Sequence, residues 1–218
     1  MDTQQALASL KQGNQRFLDA VKSGGSVNIS LTSLPSASSQ SPKAVVVSCS
    51  DSRVTPEVLF DCELGEIFVI RVAGNIITET ELGSIEFACQ KFGTRLVIVL
   101  GHTQCGAIAA SISASKEKAS DSNKQSHDDS LKNIATLVEQ INPAIESTLK
   151  SGHDTQDEDF HEQVEDANVR LVANNIVSRS SILQSLSRLK IVGAKYDLAS
   201  GRVSFFDWKQ FKPKENQQ

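Results

Sequence analysis

Residues 44–53 of the chain read AVVVSCSDSR, an apolar run that leads directly into a polar turn with a cysteine, an aspartate and an arginine. A β-branched run of this kind is typical of a strand that is buried on both faces. The pattern returns at residues 96–106 (LVIVLGHTQCG), and a third apolar run lies between them at residues 67–70. Because helix-type segments separate these runs, the sequence predicts a parallel sheet with right-handed helical crossovers.

The rest of the chain predicts helices around this sheet and a pair of strands at its end. Residues 55–57 (TPE) are typical of a helix start, with threonine as the cap and proline at the first helical position. Helical spacing of apolar residues is found at 3–21, 82–91, 107–114, 131–149 and 164–189, with a break near 178–181 in the last segment, and strands are predicted at 190–196 and 202–206. The predicted fold class is therefore α/β: a mostly parallel central β-sheet flanked by helices, with an N-terminal helix and a C-terminal strand hairpin.

The chain shows no internal repeats, and we expect one domain over residues 1–218. Within it we expect an N-terminal helical arm at about residues 1–25. We also expect a polar, mobile insertion at about residues 113–130, where serine, lysine and aspartate dominate.

Composition excludes several classes of function. The 22 Lys+Arg and 26 Asp+Glu residues give a formal charge of −4 over 218 residues, so there is no global attraction to nucleic acid or an anionic membrane. No apolar run approaches the ~20 residues that span a bilayer. The first residues lack the pattern of a signal peptide, although a trimmed one would leave the same sequence, so the compartment stays open with the cytoplasm as the default.

The four cysteines are Cys49, Cys62, Cys89 and Cys105. A chain of this length, rich in apolar strands, is not a disulfide scaffold, so reduced thiols are expected. Cys62 and Cys89 lie in apolar segments, and we expect them to serve packing.

The other two cysteines lie where a metal site is expected. Cys49 follows the first strand, while His102 and Cys105 follow the third, and ligands collect beyond the carboxyl ends of parallel strands. Two thiolates and an imidazole suit zinc, and a fourth position left open marks a catalytic zinc. Spacing alone leaves a second reading open, in which Cys62 completes a closed structural site.

Residues 49–53 (CSDSR) and 102–106 (HTQCG) resemble the two zinc motifs of the β-class carbonic anhydrase family. Further similarity lies at 14–17 (NQRF), 71–75 (RVAGN) and 192–197 (VGAKYD). The resemblance implies one Zn²⁺ per subunit and reversible hydration of CO2 to bicarbonate and a proton by a zinc-bound hydroxide. It also implies a homodimer or a larger homo-oligomer.

The same resemblance assigns a role to each motif residue. Zinc is held by Cys49, His102 and Cys105, and the backbone N–H of Gly106 faces the substrate. Asp51 pairs with Arg53 and accepts a hydrogen bond from the hydroxide, or it becomes a fourth zinc ligand in a closed state. A metal with two thiolate ligands acidifies its water less than one with three imidazoles, so the site benefits from this additional help.

Two other functions remain open from the sequence. The same scaffold could hydrolyse a CO2-like molecule such as carbon disulfide or carbonyl sulfide, or the protein could be a non-catalytic zinc protein used for assembly.

Histidines and acidic residues outside the motifs are expected to form a solvated face rather than a second metal site. They comprise His127, His153, His161 and the acidic stretch 154–166. Trp208 and the phenylalanines at 205–206 are expected to pack or to contact another subunit.

Overall fold

The computed structural model of the chain describes residues 2–25, 38–120 and 132–206, with the backbone alone at 118–120. The described residues contain one five-stranded sheet in the order β2-β1-β3-β4-β5. The strands are β1 (Ala44–Ser48), β2 (Ile67–Arg71), β3 (Leu96–His102), β4 (Lys190–Tyr196) and β5 (Val203–Phe205). The first four run parallel and β5 pairs antiparallel with β4, which confirms the predicted mostly parallel sheet and the C-terminal hairpin.

Seven α-helices pack around the sheet within the described residues. They are α1 (Thr3–Lys22), α2 (Pro56–Leu59), α3 (Glu79–Lys91), α4 (Gly106–Ser120), α5 (Lys132–Lys150), α6 (Phe160–Ser178) and α7 (Ser181–Ser185). Helix α1 begins with a capping box. The side chain of Asp2 accepts a backbone hydrogen bond from the first turn, and the side chain of Gln5 accepts one from the backbone N–H of Asp2. The bounds of α1 confirm the predicted N-terminal helix, and the gap between Ser178 and Ser181 confirms the predicted break between α6 and α7.

Every residue of β1 and β3 is buried, because apolar layers cover both faces of the sheet. On one face, Val46 and Ile98 belong to a core cluster with Leu10 of α1. On the other face, Val47 packs in a cluster with Val172 of α6. This double coverage explains why the central strands read as continuous apolar runs rather than alternating patterns.

Two segments differ from the sequence predictions. Residues 115–120, expected in a mobile insertion, continue α4 as helix. Their alanine, lysine and glutamate content favours a helix although the segment is polar. Residues 121–131 lie outside the described part of the chain. Helix α6 begins at Phe160 rather than at residue 164, so part of the acidic stretch 154–166 belongs to a helix that packs on the sheet.

Among the described helices, none combines the length and the apolar character needed to cross a membrane.

Candidate metal centre

The carboxyl ends of β1 and β3 bring three metal-capable side chains together. Cys49 follows β1, His102 is the last residue of β3, and Cys105 immediately precedes α4. Their ligand atoms all lie within 4.8 Å of one another, and all three residues are buried. The two strand ends are adjacent because β1 and β3 pair in parallel, with Ser48 opposite Leu100.

The imidazole of His102 presents a buried lone pair to this group. Its Nδ1 lies 3.0 Å from the carbonyl oxygen of Thr103, and a carbonyl only accepts, so Nδ1 carries the proton. Nε2 is then the unprotonated nitrogen, and it is buried without a hydrogen-bond partner. An unsatisfied buried nitrogen beside two cysteine sulfurs fits a zinc ion, which takes nitrogen and sulfur ligands.

The two sulfurs differ in their tendency to ionise. A hydrogen bond from the thiol of Cys105, aided by backbone N–H groups that include that of Gly74, lowers the pKa of Cys49 against the opposing effect of burial. The same hydrogen bond and burial raise the pKa of Cys105. Cys49 is therefore the sulfur of the pair that ionises first, and the ionised form is the one that ligates a metal.

Asp51 and Arg53 form a two-point ion pair beside the cysteines. Arg53 Nε donates to Asp51 Oδ1 at 2.9 Å and Arg53 Nη2 donates to Oδ2 at 2.7 Å. The backbone N–H of Arg53 adds a third bond to Oδ1 at 3.0 Å. These hydrogen bonds, led by the guanidinium, hold the pKa of Asp51 well below its usual range, so its carboxylate is ionised. Asp51 Oδ2 lies 3.9 Å from His102 Nε2, close to the point where the ligand atoms converge.

Arg71, at the end of β2, fixes the turn that carries this pair. Its Nη2 donates to the backbone oxygen of Asp51 at 2.8 Å, and its Nε donates to that of Cys49 at 3.2 Å. In the sequence, Arg71 is only one residue of the motif at 71–75. The structure shows that its side chain holds the backbone of the turn that follows β1.

Gly106 is the first residue of α4 and is exposed next to Cys105. A Cβ placed on it would have no neighbouring atom within 4 Å. The first N–H groups of a helix have no partner within the helix, so this one is available to a molecule in the open space.

Sequence reasoning missed two residues of α6 that contact this centre. Glu165 accepts a hydrogen bond from the backbone N–H of Cys105 at 3.1 Å, and Asn168 Nδ2 donates to the carbonyl of Gly74 at 2.8 Å. The prediction of a solvated face is wrong for Glu165, whose exposed fraction is 2%. Half-buried His161 contacts this residue, with its Nδ1 3.0 Å from Glu165 Oε1. Apolar neighbours at 164 and 169 place positions 165 and 168 beside the buried face of a helix, and that spacing was the available signal.

A second metal-capable group lies at the surface. His153, Asp157 and Asp159 have ligand atoms within 4.8 Å of one another, with His153 half-buried and both aspartates exposed. The predicted solvated face agrees with their exposure.

The remaining predicted residues lie away from the centre. Cys62 and Cys89 are buried in the two core clusters on opposite faces of the sheet, which confirms packing, and the metal-capable group does not include Cys62. Phe205 packs against the ring of Phe60 with centroids 6.3 Å apart. His127 and Trp208 lie outside the described residues.

A mostly parallel α/β sheet with a buried Cys-His-Cys group at the carboxyl ends of two adjacent strands defines a class: the α/β proteins with a metal-capable group at the edge of the sheet. Comparison with known proteins gives the family. Residues 44–203 match the carbonic anhydrase family, and the chain belongs to its β class. It is a carbonic anhydrase.

Individual relatives agree with this assignment. The chain is 38% identical over 201 residues to the carbonic anhydrase of Mycolicibacterium smegmatis, covering 91% of this chain and 90% of that protein. Its fold is similar to that of the β-carbonic anhydrase CcaA, with a TM-score of 0.68, 24% identity and coverage of 78% and 82% of the two chains. It is also similar to two tetrameric β-carbonic anhydrases of Sordaria macrospora, with a TM-score of 0.65, 18% identity and coverage of 79% and 84%.

Proposed function

We propose that the protein catalyses the reversible hydration of CO2 to bicarbonate and a proton, with one zinc ion per subunit held by Cys49, His102 and Cys105. The observation that carries this proposal is the unpartnered Nε2 of His102, buried between two cysteines and facing the ionised carboxylate of Asp51. Zinc, when bound there, would supply the Lewis acidity that makes a water molecule acidic near neutral pH.

Asp51 orients the nucleophile. An ionised carboxylate only accepts hydrogen bonds, so a hydroxyl group beside it turns its proton toward Asp51 and its lone pair toward the carbon of CO2. Arg53 keeps this carboxylate ionised and prevents it from rotating, because the guanidinium occupies both of its oxygens.

The ion pair also supports an open metal position. To become a fourth ligand, Asp51 would have to give up its hydrogen bonds to Arg53, and that guanidinium lies within 3.5 Å of a second acceptor, the carbonyl oxygen of Gln104. Asp51 is therefore engaged by Arg53 rather than free to turn toward the position of a metal.

Gly106 is proposed to bind the substrate. Its backbone N–H lies at the positive end of α4, next to the ligand Cys105, and suits an oxygen atom that gains negative charge as CO2 becomes bicarbonate. The absence of a side chain leaves space for a small linear molecule.

We further propose that the protein works as a homo-oligomer, at least a dimer. The support is the similarity in fold to the Sordaria macrospora enzymes, which are described as tetrameric.

The test is stopped-flow CO2 hydration on purified protein of measured zinc content, over a range of pH, with carbon disulfide and carbonyl sulfide assayed in parallel. We expect one zinc per chain and hydration activity that rises with pH. Stoichiometric zinc without CO2 hydration at any pH would contradict the proposal and favour a non-catalytic zinc protein. Turnover of carbon disulfide or carbonyl sulfide without CO2 hydration would favour the hydrolase instead.

A further inference from the structure

The sulfur of Cys49 receives a hydrogen bond from the backbone N–H of Gly74, with an N···S distance of 3.3 Å. Gly74 has φ +70°, in the left-handed region, and a Cβ there would lie 2.9 Å from Ile141 Cδ1. The backbone conformation therefore favours glycine, and a Cβ would in addition require the end of the Ile141 side chain to shift. Glycine is also the residue that rotates most freely, so an N–H that must point at the sulfur needs an external restraint.

That restraint is applied to the peptide group that follows Gly74. Its N–H, which belongs to Asn75, donates to the carbonyl of Val72 at 2.9 Å. Its carbonyl, which belongs to Gly74, accepts from Asn168 Nδ2 at 2.8 Å. With both ends of this peptide plane held, the freedom of Gly74 to rotate is restricted, which helps to keep the preceding N–H directed at Cys49.

Asn168 reaches this position from a distant part of the sequence. It is fully buried on α6, 94 residues along the chain from Gly74. Glu165, one helical turn earlier, accepts from the N–H of Cys105, so the same face of α6 contacts both segments that carry the cysteines.

We propose that Asn168 is a positioning residue of the metal centre, which acts through the Gly74 peptide to keep an N–H···S hydrogen bond on Cys49. This inference rests on the proposed function, since it assumes that Cys49 is a metal ligand. A hydrogen bond to a ligating sulfur withdraws part of its negative charge, so the metal retains more of its own positive charge. In a site with two thiolates, this would leave a bound zinc ion a stronger Lewis acid.

The experiment compares Asn168→Ala with Asn174→Ala, which makes the same change at an exposed position of the same helix. Val172→Ala is the second control, because it removes buried apolar volume from α6 without changing this chain of hydrogen bonds. Each protein is loaded with Co²⁺, and the sulfur-to-cobalt charge-transfer band is recorded. The rate of zinc loss to a chelator is measured beside it.

For Asn168→Ala we expect the charge-transfer band to move to lower energy, because the sulfur holds more negative charge. We also expect zinc loss to become about tenfold faster, because the ligand is no longer held in place. We expect Asn174→Ala to match the wild type and Val172→Ala to lower thermal stability without moving the band. An unmoved band in Asn168→Ala, with wild-type zinc retention, would overturn the inference while leaving the proposed function intact. If the wild type itself binds neither metal stoichiometrically, it is the proposed function that fails.

A measurement on the wild type covers the case in which Asn168→Ala does not fold. In protein loaded with an NMR-active cadmium isotope, a hydrogen bond to a ligating sulfur transmits scalar coupling from the metal to the amide proton. We expect that coupling at the amide of Gly74. Its absence in protein with full cadmium occupancy would refute the N–H···S bond.

Discussion

The four cysteines form two pairs that are equally buried and differ in the groups around the sulfur. Cys49 and Cys105 lie at the ends of β1 and β3, where hydrogen bonds from the Cys105 thiol and from backbone N–H groups lower the pKa of Cys49. Cys62 and Cys89 lie in the apolar core, where burial raises the pKa of each to about 11. Burial alone therefore keeps a thiol protonated, and the polar groups supplied by the strand ends favour the ionised form of Cys49 that a metal ligand requires.

The largest expected effect separates the two pairs directly. Cys49→Ser should lose zinc and CO2 hydration together, because loss of a ligand atom costs more than the 10–100-fold in affinity that loss of a surrounding partner costs. Cys62→Ser is the matched control, since its hydroxyl can replace the bond that the thiol makes to the carbonyl of Phe60. Elemental analysis after dialysis measures the zinc. Full zinc content in Cys49→Ser, or loss of zinc in Cys62→Ser, would contradict the separation of the cysteines into a metal-binding pair and a packing pair.

The next effect separates metal binding from catalysis within the cysteine-bearing site. Arg53→Ala should keep its zinc, which it does not ligate, and should lose about 100-fold in kcat because Asp51 is no longer oriented. Arg16→Ala is the matched control: Arg16 also forms an ion pair with an aspartate, Asp61, but both side chains are exposed and neither belongs to the metal-capable group. It should keep full activity and change stability by ~0–1 kcal/mol. Near-wild-type turnover of Arg53→Ala in stopped-flow assays would reject the proposed role of Asp51 and Arg53.

The residues that could be located from the sequence are those next to a strand end. An apolar run predicts the strand, a parallel sheet places adjacent carboxyl ends together, and Cys49, His102 and Cys105 follow from that geometry. Glu165 and Asn168 could not be located in this way. They lie 60 and 94 residues from their partners, and their contacts depend on how α6 packs on the sheet. The acidic composition around them is that of a solvated face, so local composition pointed away from the buried contact.

A smaller effect tests the inert pair through the dependence of stability on pH. The folded protein keeps the proton of Cys89 to about pH 11, whereas the unfolded chain releases it near the ordinary thiol pKa of 9.0. Above pH 9 the unfolded state thus binds fewer protons than the folded state, and unfolding becomes easier as pH rises. The stabilisation that this protonated thiol gives to the folded state is fully present below pH 9. By pH 10.5 the free energy of unfolding should have fallen by about 2 kcal/mol on this account.

The variant Cys89→Ala isolates this contribution from other groups that titrate in alkali. At pH 7 it should be less stable than the wild type by about 1 kcal/mol, because the core loses the contacts of a buried sulfur. Between pH 9 and 10.5 the wild type should lose its advantage and the order of stability should reverse. Urea unfolding at one fixed protein concentration measures both proteins, since the stability of the proposed oligomer would depend on concentration. A difference between them that stays constant from pH 7 to 10.5 would mean that Cys89 ionises alike in the folded and unfolded states, and burial would then not be what keeps this pair inert.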